Sequence, residues 1–181
     1  MNEKMRTLFA QRIGFTKKGV TTIKDDNDNL VYFITGRWGL VHDALSVYAV
    51  SGTLLAEIKQ SSLGLFPKFE LYSRQQKVGT LRRYYGVSTE MLFVKGLNWF
   101  LIGNLNNFRY KIYSGHTWIM RTGDVKKHAQ DYIKFDFRHE QDEALCLCIA
   151  AILDYWASNG KKVRHKESEL NFQKRTRPTL D

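Results

Sequence analysis

Between Arg6 and Phe137 the chain alternates short apolar or apolar–polar runs with clusters of turn-forming residues. The runs are Thr7–Phe15, Gly19–Lys24, Leu30–Gly36, Leu45–Val50, Thr53–Gln60, Phe69–Ser73, Lys77–Tyr84, Met91–Val94, Trp99–Asn104, Tyr110–Ser114, Thr117–Arg121 and Tyr132–Phe137. Together they predict about twelve strands. Between them stand Asp25-Asp26-Asn27-Asp28-Asn29, Val50-Ser51-Gly52, Gly64-Leu65-Phe66-Pro67, Asn104-Leu105-Asn106-Asn107, Ser114-Gly115 and Thr122-Gly123-Asp124. Gly, Asn and Asp tolerate positive φ or bond their own backbone, so each cluster is read as a turn. The last run shows the strand period most clearly: Ile133, Phe135 and Phe137 share one face, and Tyr132, Lys134 and Asp136 the other. Inner runs such as Leu30–Ile34 are apolar throughout, which a sheet with one face in water would not produce. The spacing fits a closed barrel.

After Arg138 the period changes. His139 to Ser158 is rich in Ala and Leu, with Glu140, Asp142 and Glu143 in its first turn, where carboxylates favour the positive end of the helix dipole. Gly160 stands where a terminating glycine would. This predicts a helix over about 139–158, roughly 27–30 Å long at 1.5 Å per residue. Its middle is apolar on every side, so it must be buried on every side or sit in a membrane. Its longest apolar run, Ala144–Leu153, is far short of the about 20 residues a bilayer requires. A chain with a dozen strands buries such a helix most simply by threading it through the barrel. The expected fold is therefore mainly β: a closed barrel of about twelve strands enclosing a central hydrophobic C-terminal α-helix. Residues 1–160 form that domain, and 161–181, with seven basic and three acidic residues, form a basic polar tail that hangs loose or lies along the surface.

The 181 residues suit one domain, and 43% hydrophobic with 13% aromatic content excludes disorder. Two prolines exclude Pro-rich linkers and collagen-like repeats. Cys146 and Cys148 lie too close along the chain for a relaxed bridge and read as free buried thiols, which suits a reducing compartment. The opening Met1–Phe15 has neither the apolar run nor the small-residue cleavage site of a secretory signal. A cytoplasmic protein is expected, peripheral to a membrane if it meets one.

Two stretches carry a family resemblance. Asp131-Tyr132-Ile133-Lys134-Phe135-Asp136-Phe137, leading into Ala144–Trp156, resembles the ending of phospholipid scramblases, where an alternating acidic strand precedes an apolar helix closing on an Asp-Tyr pair, here Asp154-Tyr155. Ile23-Lys24-Asp25-Asp26 followed by Leu30-Val31-Tyr32-Phe33 is similar to the opening of LURP-one-related chains. Both groups belong, with the tubby C-terminal domain, to the tubby-like superfamily. The resemblance implies a twelve-stranded barrel around a central helix. For function it implies little, because tubby domains bind phosphoinositides, scramblases are tied to calcium and lipid, and most bacterial members have no assigned role.

The residues themselves offer no catalytic motif: no Gly-x-Ser-x-Gly elbow, Walker loop, Gly-x-Gly-x-x-Gly or His-Glu-x-x-His occurs. The chain is read as non-enzymatic, with no cofactor and no metal. His42, His116, His128, His139 and His165 lack ligand spacing, and no Cys-x-x-Cys is present. The calcium that the scramblase resemblance raises would draw on Asp131, Asp136, Glu140 and Asp142, but no EF-type loop arranges them, and Asp25–Asn29 suits a turn. What stands out is the excess of 28 Lys and Arg over 18 Asp and Glu, a net charge of +10. Lys17-Lys18, Arg82-Arg83 and Lys126-Lys127 are basic pairs, the first and last expected at loop tips, and they are the candidate anion- and lipid-binding residues. The expected function is binding of anionic phospholipid headgroups. A basic nucleic-acid-binding or protein-interaction module is the alternative, with Tyr84-Tyr85 beside Arg82-Arg83 as a stacking platform.

Overall fold

The computed structural model describes residues 5–12, 19–37, 42–62, 68–85, 90–104 and 108–154, with the backbone alone for 83–85 and 90. Twelve strands follow in order: β1 (Arg6–Gln11), β2 (Thr21–Lys24), β3 (Leu30–Gly36), β4 (Ala44–Ala49), β5 (Leu54–Gln60), β6 (Phe69–Ser73), β7 (Gln76–Tyr85), β8 (Glu90–Lys95), β9 (Trp99–Asn104), β10 (Arg109–Ser114), β11 (Thr117–Lys127) and β12 (Gln130–Phe137). Each pairs antiparallel with its neighbours in sequence, and β1 closes the ring by pairing β12, Arg6 opposite Phe137 and Gln11 opposite Tyr132. Closure leaves no unpaired strand edge, the feature that makes open sheets prone to aggregate.

The turns show why the strands stop where they do. Between β2 and β3, Asp25 Oδ1 accepts the backbone N–H of Asn27 and of Asn29, both at 2.9 Å, and its Oδ2 accepts the Asn29 side-chain amide at 3.1 Å. Asp28 takes φ 61° there. These bonds hold the Asp25 carboxyl below its usual range. One expected turn is absent. Thr122-Gly123-Asp124 lies inside β11, where Gly123 pairs Lys134 and the ladder to β12 continues to Lys127 opposite Gln130. Gly123 does not take positive φ, and Thr122 spends its hydroxyl on the β10 entry, donating to Phe108 O at 2.6 Å. The hairpin turns instead at His128 and Ala129, with φ 49° and 62°, the geometry of a tight two-residue turn without glycine.

Inward-facing side chains of all twelve strands join one core with the helix, described over residues 140–154. Leu145 through Leu153 are buried without exception. A helix buried on every side within a closed sheet occupies its lumen. Burying each Leu or Ile of this segment is worth about 1.5–3 kcal/mol. Cys146 and Cys148 are free and face this core, where burial raises both thiol pKa values. The remainder of the expected helix, 155–158, and the tail lie outside the described residues.

The helix enters past a polar cluster. Glu143, fully buried in its first turns, accepts the Tyr32 hydroxyl of β3 at 2.7 Å. Arg6 of β1 bridges Glu143 and Glu140, 3.2 Å from each. The helix is thereby pinned to two separate parts of the wall.

Candidate anion-binding surface

Among the described residues, the helix from Leu145 to Leu153 is buried within the barrel. A cavity between Thr21, Ile34, Gly36, Leu45 and Ala151 measures about 30 Å³, the size of a water site.

The expected basic pairs fare differently from one another. Lys17 and Lys18 lie outside the described residues, as do the side chains of Arg83, Tyr84 and Tyr85. Arg82 is exposed, on β7 opposite Phe93. Lys126 and Lys127 are not at a loop tip; they end β11 and, as strand neighbours, point to opposite faces. Lys126 is exposed, opposite Asp131. Lys127 is only 20% exposed: its ammonium lies 4.2 Å from the centre of the Phe9 ring and 3.4 Å from Asp28. It folds the hairpin end over the outer face of β1 and buries the outward-facing Phe9. Arg82 and Lys126 are therefore not brought together; three strands separate β7 from β11.

The acidic residues do not converge either. Asp136 accepts Thr7 at 2.8 Å and Arg121 at 2.8 Å, with Lys134 at 3.0 Å. Burial pushes its pKa up, but these three partners outweigh it and the carboxyl stays below its usual value. Glu140 is paired with Arg6, and Asp131 stands exposed at the start of β12. Among the described residues no three acidic, His or Cys groups are placed to hold a metal ion. At the lumen mouth, burial raises the Glu143 carboxyl above its usual range despite Tyr32 and Arg6.

The structure singles out a surface that the paired-cation pattern missed. Strands β7 to β10, with their connections, contain six basic residues and one acidic, so half of the net charge falls within residues 76–114. Of these, Arg82, Lys95, Arg109 and Lys111 are exposed, and none has an ion-pair partner among the described residues. The registers set two rows across this outer face. One runs Arg82, Phe93, Phe100, Tyr113, Trp118, and the next Met91, Ile102, Lys111, Arg121. Phe100 and Tyr113 stack at 6.0 Å between centroids, 14° from parallel. The guanidiniums of Arg121 and Arg138 lie 5.3 Å and 4.8 Å from the centre of the Trp118 ring. The sequence does carry one trace of this face. Outward positions of β8 and β9 hold Met91, Phe93, Phe100 and Ile102, where alternation with the buried Leu92, Val94 and Leu101 calls for polar side chains.

Comparison with known proteins agrees with the architecture. The profile of the LURP-one-related family matches residues 6–154. The chain is 25% identical over 150 residues to the uncharacterised protein YxjI of Bacillus subtilis (strain 168), covering 83% of this chain and 93% of that one. It also resembles a crystallographically solved protein of Arabidopsis thaliana, with a TM-score of 0.59 and 16% identity, over 84% of this chain and 91% of the other. At that identity the likeness concerns the fold alone.

Proposed function

This chain belongs to the LURP-one-related family, within the tubby-like superfamily, and on that footing we propose that it is a non-enzymatic module that binds anionic phospholipid headgroups through the outside of its barrel. The observation that carries this reading is the set of exposed cations without ion-pair partners among the described residues, Arg82, Lys95, Arg109 and Lys111. Cations that served only to balance the protein's own carboxylates would be paired, as Lys77 is with Glu70. Each Lys or Arg held near an anionic bilayer contributes about 1 kcal/mol, and the attraction fades beyond a Debye length of about 8 Å at physiological salt. Lys126 and the seven basic residues of 161–181 raise the positive charge of the whole chain. No helix among the described residues is long and apolar enough to cross a membrane. The reading therefore has the protein arrive from the cytoplasm and rest on the membrane surface, a compartment that also suits its two free thiols.

Vesicle flotation tests it. The full chain is expected to float with vesicles containing phosphatidylserine, not with phosphatidylcholine alone, and to lose binding as salt rises. Truncation after Gly160 separates the tail from the barrel, and charge reversal at Lys17, Lys18, Lys126 and Lys127 tests the loop and hairpin cations. Equal flotation with both vesicle types, or none with either, would refute headgroup binding.

A further inference from the structure

We propose that the outward face of β8 and β9 is a bilayer-docking surface, with Met91 and Ile102 entering the acyl boundary of an anionic phospholipid membrane. The proposal rests on the headgroup reading above and deepens it by assigning the contact to one face and one mode. Met91 and Ile102 are directly opposite each other in the β8–β9 ladder, and they remain 46% and 42% exposed on the outside of a barrel whose own core is complete. Nothing in the fold asks for apolar side chains there, because the inward positions beside them, Leu92 and Leu101, are already fully buried.

The surroundings point to the occupant. Lys111 is the register neighbour of Ile102 on one side. On the other, Met91 pairs Tyr84 of β7, with Arg82 two residues back along that strand opposite Phe93; Lys95 lies further along β8 itself, and Arg109 stands one outward position beyond Lys111 along β10. An apolar pair bordered by long cationic side chains matches the layered chemistry of a membrane surface. The alkyl stems can follow the apolar side chains inward while the charged ends remain at the phosphates. A nucleic acid would ask for open aromatic faces. Here Phe100 and Tyr113 cover one another, Trp118 is taken by two arginines, and the exposed large apolar side chains of this face are a thioether and an aliphatic.

The test uses the full chain and a probe the protein itself makes selective. Both native cysteines are fully buried, so Ile102→Cys introduces the single accessible thiol for an environment-sensitive nitrobenzoxadiazole label. With vesicles of phosphatidylcholine and phosphatidylserine, its emission is expected to shift to the blue. In the unlabelled protein, Met91→Asp with Ile102→Asp should lower the bound fraction about tenfold or more without changing the melting temperature, while Ile102→Leu retains binding. If the protein floats with anionic vesicles but the label stays in water and the double variant binds as before, the docking face is wrong and headgroup binding stands. If the unmodified protein floats with neither vesicle type, both fail. A blue shift produced by a single-stranded oligonucleotide in the absence of lipid would overturn the bilayer as occupant.

Discussion

The lumen mouth and the outer face of β8–β11 invert one another. At the mouth a charged residue, Glu143, is fully buried; on the outer face two apolar residues, Met91 and Ile102, stand in water. The difference lies in how each is answered. Glu143 Oε2 receives the Tyr32 hydroxyl from β3 and the Arg6 guanidinium from β1, so the chain supplies that oxygen's partners from within. Outside, neither the apolar pair nor the cations around it have such an answer among the described residues. A group whose partners are all intramolecular is explained by the fold. A group left without one in a well-packed protein is the better guide to what the protein meets.

The largest effect expected from this contrast is inside. Leu147→Asp or Ile149→Asp places an unpaired charge in the filled lumen, and its cost approaches the whole of a typical margin of about 5–15 kcal/mol. Circular dichroism should report an unfolded or molten chain, and a folded, soluble variant would mean that the helix is not central. Glu143→Ala comes next. It leaves the Tyr32 hydroxyl and an Arg6 N–H without their acceptor, an expected loss of about 1–3 kcal/mol in urea unfolding. Glu143→Gln, which keeps an acceptor for Tyr32, should lose less.

Acid titration sharpens the contrast because two of the buried carboxylates, Glu143 and Asp136, move in opposite directions. The Glu143 pKa is raised, so its charged form opposes folding at neutral pH, and that opposition is relieved as pH falls through its raised value. The Asp136 pKa is lowered, so its charged form favours folding, and that contribution is lost as pH falls through its lowered value. Glu143→Gln should therefore flatten stability above the usual carboxylate range, and Asp136→Asn below it. Unchanged profiles in both variants would contradict this account. Smaller still is Lys127→Ala, which removes an ammonium from Phe9 and Asp28 and should cost about 0.5–1 kcal/mol. Smallest are Met91→Ser and Ile102→Ser, expected within about 0.5 kcal/mol of the parent in thermal or chemical denaturation. A large destabilisation from either would make the outer pair part of the fold.

Most of the barrel was legible because its signals are local. Ile133, Phe135 and Phe137 announce a strand through period alone, and Asp25–Asn29 builds its turn from its own side chains. The helix was legible because Ala144–Leu153 has no polar side to leave outside. Thr122-Gly123-Asp124 misled because turn composition is only a tendency, and an eight-pair ladder with β12 overrides it. His128-Ala129 carries no turn signal, although it makes the turn. The surface was harder to read for a related reason. Lys127 meets Asp28 across 99 residues of sequence, and the row from Arg82 to Trp118 exists only once four strand registers are fixed. Adjacent cations in sequence say little when successive strand residues face opposite ways.

The pairing of Arg6 with Phe137 sets the timetable of this molecule's birth. During synthesis the first strand waits for almost the whole wall to be made before its last partner emerges, and the lumen filling comes later still. Such long-range closure makes folding slow and leaves apolar surface uncovered meanwhile. A ribosome stalled before residue 140 would hold a sheet with nothing to wrap around, a natural client for chaperones. Emergence of β12 and the helix, more than any early hairpin, is the event that commits it to its native form.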